Sequence, residues 1–155
     1  MKTIVVGLGN PILGDDGVGW CVAEEVRKFI DPVMPVQVEC FSLGGISLME
    51  QLVGYQQAIL IDACFSDAEP GSVIVSKLDE LPDISAFHTT SVHDVSLQNA
   101  MKLGRGLGVQ LPDIVNVVGI SARQVHDFGE ELSPPVADAV STAAQHVIKL
   151  VMQTS

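Results

Sequence analysis

Three side chains in this sequence have the types and positions to do chemistry together: a carboxylate from the pair Asp15 and Asp16, the carboxylate of Asp62, and the imidazole of His93, with His88 upstream in the same stretch. Two carboxylates and a neutral imidazole are a donor set for a divalent ion such as nickel or zinc, and equally a set for general acid–base work. The acidic pair also fits a plainer role, because carboxylates at the start of a helix are favoured by its macrodipole. His126 and His146 read as solvated side chains, His146 on the polar side of the last helix. The cysteines Cys21, Cys40 and Cys64 are odd in number and form no CxxC pair, so they are expected to be buried free thiols in a reducing cytosol. No serine or cysteine has a persuasive His–acid partner, and Cys21 and Cys64 lie in apolar surroundings that disfavour a thiolate.

For the acidic groups to meet, the chain must bring distant segments to one place. Residues 3–8 (TIVVGL) are β-branched and apolar and predict a fully buried parallel strand, followed by a glycine-rich turn. From residue 18 the apolar positions Val18, Cys21, Val22, Val26, Phe29 and Ile30 recur at helical spacing, and Asp31-Pro32 stops the run. Residues 36–41 predict a second strand, Gly44-Gly45 a break, and 46–53 a short helix. The apolar run 58–61 predicts a central strand with Asp62 at its carboxyl end, and 72–78 predicts another strand after the turn Glu69-Pro70-Gly71. Thr90 or Ser91 could cap a helix running to about Leu103, which Gly104 to Gly108 ends. Residues 113–120 predict the last strong strand, and Ser133-Pro134 the cap and first position of a final amphipathic helix.

Strands alternating with helices predict one α/β domain spanning 1–155, with three layers: a mostly parallel, twisted sheet of about five strands and helices on both faces. In such sheets ligands sit in the crevice beyond the carboxyl ends of the strands, where the 9–16 loop and Asp62 both belong. At 155 residues and 47% hydrophobic composition, such a domain needs neither disulfides nor a structural metal. A net charge of −11 repels phosphate backbones and anionic membranes, so nucleic acid and membrane partners are not expected. No signal-like segment opens the chain and no apolar run nears the roughly 18 residues of a span, which predicts a cytoplasmic protein. Gly7-Leu8-Gly9 invites a dinucleotide-binding reading, but Ile12 stands where the third glycine belongs, and Asp15 and Asp16 would repel a pyrophosphate.

The segment from Val6 to Gly19, VGLGNPILGDDGVG, resembles the opening GxGNxLxxDDGxG pattern of the hydrogenase maturation endopeptidases. The resemblance spans essentially the whole chain: Gly44-Gly45 after the second strand, Asp62-Ala63 closing the third, Ser91-Val92-His93, and Phe128-Gly129-Glu130-Glu131-Leu132-Ser133-Pro134 also match in order and spacing. It implies a monomeric endopeptidase that trims the C-terminal extension of a nickel–iron hydrogenase large-subunit precursor. It implies Asp16, Asp62 and His93 as the groups that contact nickel already installed in that precursor, with no permanent catalytic metal. Asp16, Asp62 or both would then activate the attacking water, and Gly44 and Gly45 would let the substrate tail pass close to the backbone. The chain departs from the family at Ser121 to His126, which lack the Glu-Pro pair often found there.

Two other readings compete. Gly7-Leu8-Gly9-Asn10-Pro11 is similar to the opening of peptidyl-tRNA hydrolase, but Trp20 stands where that family places its catalytic histidine, and the acidic charge suits tRNA poorly. The same trio could also serve a noncatalytic nickel-sensing or chaperone-like protein.

Overall fold

The computed structural model describes residues 1–81, 95–123 and 129–153. The first strand, β1 (Thr3–Leu8), leads through a short 3-10 turn (Gly14–Gly17) into α1 (Val18–Arg27). Then follow β2 (Val36–Phe41), α2 (Gly45–Gln51), β3 (Gln57–Phe65), β4 (Val73–Lys77), α3 (Leu97–Gly106), β5 (Ile114–Ala122) and α4 (Pro134–Gln153). The strands form one sheet in the order β2-β1-β3-β5-β4, all parallel except the edge strand β4, which runs antiparallel to β5. This is the predicted mostly parallel α/β sheet, with its order reversing between β1 and β3.

Alternation along the strands divides the core in two. Val5, Ile59, Ile61, Val118 and Ile120 face one side, where Val22 and Val26 of α1 and Val136, Ala143 and Val147 of α4 cover them. Ile4, Val6, Leu60 and Val117 face the other, against Leu48 of α2, Leu52 just after it, and Ala100 and Met101 of α3. Strands buried on both faces carry unbroken apolar runs, which is why β1 and β3 are legible without any period-two pattern.

Several local expectations need correction. The third helix begins at Leu97, not at 90 or 91: Ser96 is its cap, with extended φ and ψ and its hydroxyl accepting the Asn99 N–H at 3.1 Å. Thr90, Ser91 and the histidines His88, His93 and His126 lie outside the described residues. Gly104 does not end α3 but sits inside it, where a Cβ would stand 3.0 Å from Leu111 and 3.3 Å from Met49, so α2 and α3 approach closely there. On α1, Cys21 and Phe29 are exposed rather than part of the apolar stripe, and Cys40 and Cys64 are half-buried. The stripe that does bury is Val18, Val22 and Val26, at four-residue spacing. His146 is exposed on α4, as predicted.

Candidate active site

The point where the strand order reverses is where β1 and β3 part. Their last paired residues are Gly7 and Ile61, so Asp62 is the first residue of β3 beyond the β1 ladder. β3 itself continues to Phe65 alongside β5, so Asp62 lies at the carboxyl end of one ladder and within another. It shares the α2–α3 face with Ala58 and Leu60, and it is 2% exposed. Gly119 of β5 is its cross-strand neighbour.

On the other side of the same junction, β1 is followed by Gly9, whose φ of +131° suits only glycine; a Cβ there would stand 1.9 Å from the carbonyl oxygen of Asp16. The loop folds back so that the N–H of Asn10 donates to Asp16 Oδ2 at 2.9 Å. The Asn10 side chain in turn accepts the Ile12 N–H, and the Asn10 carbonyl accepts that of Leu13, which tightens the turn. Asp16 is 8% exposed, and the 3-10 turn that carries it packs against β3. The register places Asp62 level with the end of β1, and the Asp16 carboxylate bonds the backbone just past that end.

Close backbone approach makes this junction compact. A Cβ on Gly19 would lie 2.4 Å from the carbonyl oxygens of both Leu8 and Ile61, and one on Gly7 2.5 Å from the Gly19 carbonyl oxygen. The start of α1 therefore sits directly across the ends of β1 and β3, and its macrodipole favours negative charge beside it. Beyond the loop, Phe41 at the end of β2 accepts the N–H of Gly9 at 3.2 Å and the indole N–H of Trp20 at 3.2 Å.

Of the expected trio, Asp16 and Asp62 are both buried near the junction of β1 and β3; His93 lies outside the described residues. Among the described residues no group of three or more His, Cys, Asp or Glu side chains is placed to hold a metal. Gly44, extended at φ −143° and ψ 178°, precedes α2, and Gly45 begins it at φ +54°. A Cβ on Gly45 would stand 2.6 Å from the Val95 carbonyl oxygen, so glycine is required there for a contact within the chain itself. Sequence reasoning missed the role of Ser133. Its hydroxyl is turned to Asp15 instead of capping α4, although its carbonyl accepts the Ala137 N–H at 2.9 Å as a cap residue's does.

The hydrogenase maturation protease family model matches residues 41–150. The chain belongs to the hydrogenase maturation protease family. It is therefore a peptidase, and the peptidyl-tRNA hydrolase reading falls away. It is 24% identical over 151 residues to the hydrogenase 2 maturation protease of Escherichia coli, covering 96% of this chain and 89% of that one. To the hydrogenase expression/formation protein HupD of Bradyrhizobium diazoefficiens it is 27% identical over 142 residues, 90% of this chain and 72% of that protein. Among solved structures, the hydrogenase maturating endopeptidase HybD from E. coli shares the fold with a TM-score of 0.81 at 21% identity, over 100% of this chain and 94% of that chain. The hydrogenase 2 maturation peptidase from a Thaumarchaeota archaeon aligns with a TM-score of 0.71 at 29% identity, over 97% of this chain and 98% of that chain. No helix among the described residues is long and apolar enough to cross a membrane.

Proposed function

We propose that this protease, acting as a single domain over 1–155 and as a monomer in the cytoplasm, removes the C-terminal extension from a nickel-loaded nickel–iron hydrogenase large-subunit precursor. The observation that carries this reading is that two carboxylates are buried near the β1–β3 junction: Asp62 is the first residue of β3 beyond the β1 ladder, and Asp16 bonds the backbone just past the end of β1. Two carboxylates near one junction are oxygen donors suited to a divalent cation carried in by the substrate.

With His93 as a third donor, Asp16 and Asp62 make a mixed oxygen and nitrogen set that nickel accepts. The nickel is cargo of the precursor, and three donors are few enough to read it without keeping it. Cutting would then follow only correct loading. Asp16, Asp62 or both position or deprotonate the water that attacks the scissile amide. The nickel or nearby backbone N–H groups stabilise the developing oxyanion. Gly44, at the entry to α2, lines the edge along which the substrate tail runs, while Gly45 beside it gives its side-chain space to the Val95 carbonyl.

Incubating a nickel-loaded precursor with the protein and weighing the products tests this reading. Loss of a C-terminal peptide is expected with nickel-loaded precursor and not with metal-free precursor. Nickel binding at Asp16, Asp62 and His93 without shortening of the precursor would instead support a nickel-sensing or chaperone-like role.

A further inference from the structure

Asp15, the neighbour of Asp16, is 4% exposed, and the catalytic reading above gives it nothing to do. Its two oxygens are engaged by one residue 118 positions later: the Ser133 N–H donates to Oδ1 at 2.7 Å and the Ser133 hydroxyl to Oδ2 at 2.7 Å. Hydrogen bonds to a carboxylate are about twice as strong as neutral ones, and these are largely shielded from water.

The clasp does not act alone. Gly14 N–H donates to the Gly129 carbonyl at 2.7 Å and Gly129 N–H to the Ile12 carbonyl at 2.8 Å, which zips the loop to the strap ahead of α4 through the Leu13–Gly129 bridge. The 3-10 turn is thus held from the strap side through Gly14 and Asp15, and from the β1 side through the Asn10 bond to Asp16. Adjacent carboxylates engage separate partners, one on the strap and one on the loop backbone. The clasp also diverts the Ser133 hydroxyl from the start of α4, a local rule set aside where a functional site is being held in place.

We infer that Asp15 is a positioning residue: by grasping Ser133 it fixes the 3-10 turn so that the Asp16 carboxylate is presented at the carboxyl end of β1. This rests on the role given to Asp16 above. What positions Asp16 is the connectivity of the clasp, not the charge of Asp15. An asparagine can keep it, accepting the Ser133 N–H through its carbonyl and donating to the hydroxyl through its amide.

The test compares Asp15→Ala, Asp15→Asn and a control, Val147→Ala, which opens a cavity in the core under the later turns of α4 and lowers stability without touching the loop. Two readouts are followed: the Asn10 backbone amide by 15N NMR, which reports the Asp16 carboxylate directly, and kcat and KM on the nickel-loaded precursor. In Asp15→Ala the Asn10 amide should move toward its position in Asp16→Ala. Its kcat should fall about ten- to a hundred-fold with KM changed less than about threefold, as expected for a misplaced reacting group. Asp15→Asn should restore both readouts, and Val147→Ala should move neither. An unmoved Asn10 amide in Asp15→Ala, an unchanged kcat despite a moved amide, or failure of Asp15→Asn to rescue would each overturn the inference. Should the wild-type protein cut no precursor, the protease reading falls, and the Asn10 amide alone then decides whether Asp15 positions Asp16.

Discussion

At the scale of single residues, the account depends on two carboxylates buried for a purpose other than stability. Asp62 is 2% exposed on a central strand, flanked there by the aliphatic run Ala58 to Ile61 and by Ala63. Replacing it with the neutral isostere asparagine removes a charge that is costly to bury. Asp62→Asn is therefore expected to lower processing by about 10²-fold or more, while thermal unfolding shows a stability change below about 1 kcal/mol. Equal processing by the variant would remove Asp62 from the site. A second residue-scale prediction concerns Cys40 on β2. Burial first, and then the nearby charge of Glu24, pushes its thiol up from 9.0 to about 11. The unfolded chain loses this proton first, so the contribution of Cys40 to stability is intact below pH 9.0 and is lost as the pH rises toward about 11. Melting temperatures across that alkaline window should fall less steeply for Cys40→Ser than for the wild-type chain.

At the scale of elements, two substitutions probe how the crevice is built. Gly19→Ala would drive a methyl group into the carbonyl oxygens of Leu8 and Ile61, each 2.4 Å away. With rigid backbone on both sides, the cost is expected to be about 3 kcal/mol or more by denaturant unfolding, and a variant as stable as wild type would contradict the close approach of α1. Ser96→Ala deletes the cap of α3 and should cost about 1 kcal/mol by denaturant unfolding. That cap marks what the sequence could and could not say. β1 and β3 were legible because strands buried on both faces write continuous apolar runs, and α4 because Pro134 and its apolar face announce it. The start of α3 was misplaced because Thr90, Ser91 and Ser96 are all capping residue types, and only the fold selects among them. That the 9–16 loop and Asp62 lie near one strand junction could be expected from the rule for open parallel sheets. The clasp between Asp15 and Ser133 could not, because a pairing across 118 residues leaves no periodic trace and Ser133 beside Pro134 looks like an ordinary cap.

At the scale of the whole molecule, the sheet order gathers chemistry at one end. The 9–16 loop and the entry to α2 follow the carboxyl ends of β1 and β2, and Asp62 lies level with the end of β1, while the apolar layers on both faces fix that arrangement. A net charge of −11 adds self-repulsion to the folded state, so the melting temperature is expected to rise as salt is added from low ionic strength. A melting temperature flat in salt would show that the acidic groups are compensated locally. The acidic field also suits a protein that meets a metal-bearing substrate rather than a phosphate polymer.

The central claim, that Asp16 and Asp62 form the site at which a nickel-loaded precursor is cut, is tested most directly by mass spectrometry of that precursor after incubation with the wild-type protein or with Asp62→Asn. A metal-free precursor serves as the parallel sample. The account predicts loss of a C-terminal peptide only when nickel and the wild-type protein are both present. Shortening of the precursor by Asp62→Asn at the wild-type rate, or of the metal-free precursor by the wild-type protein, would contradict it.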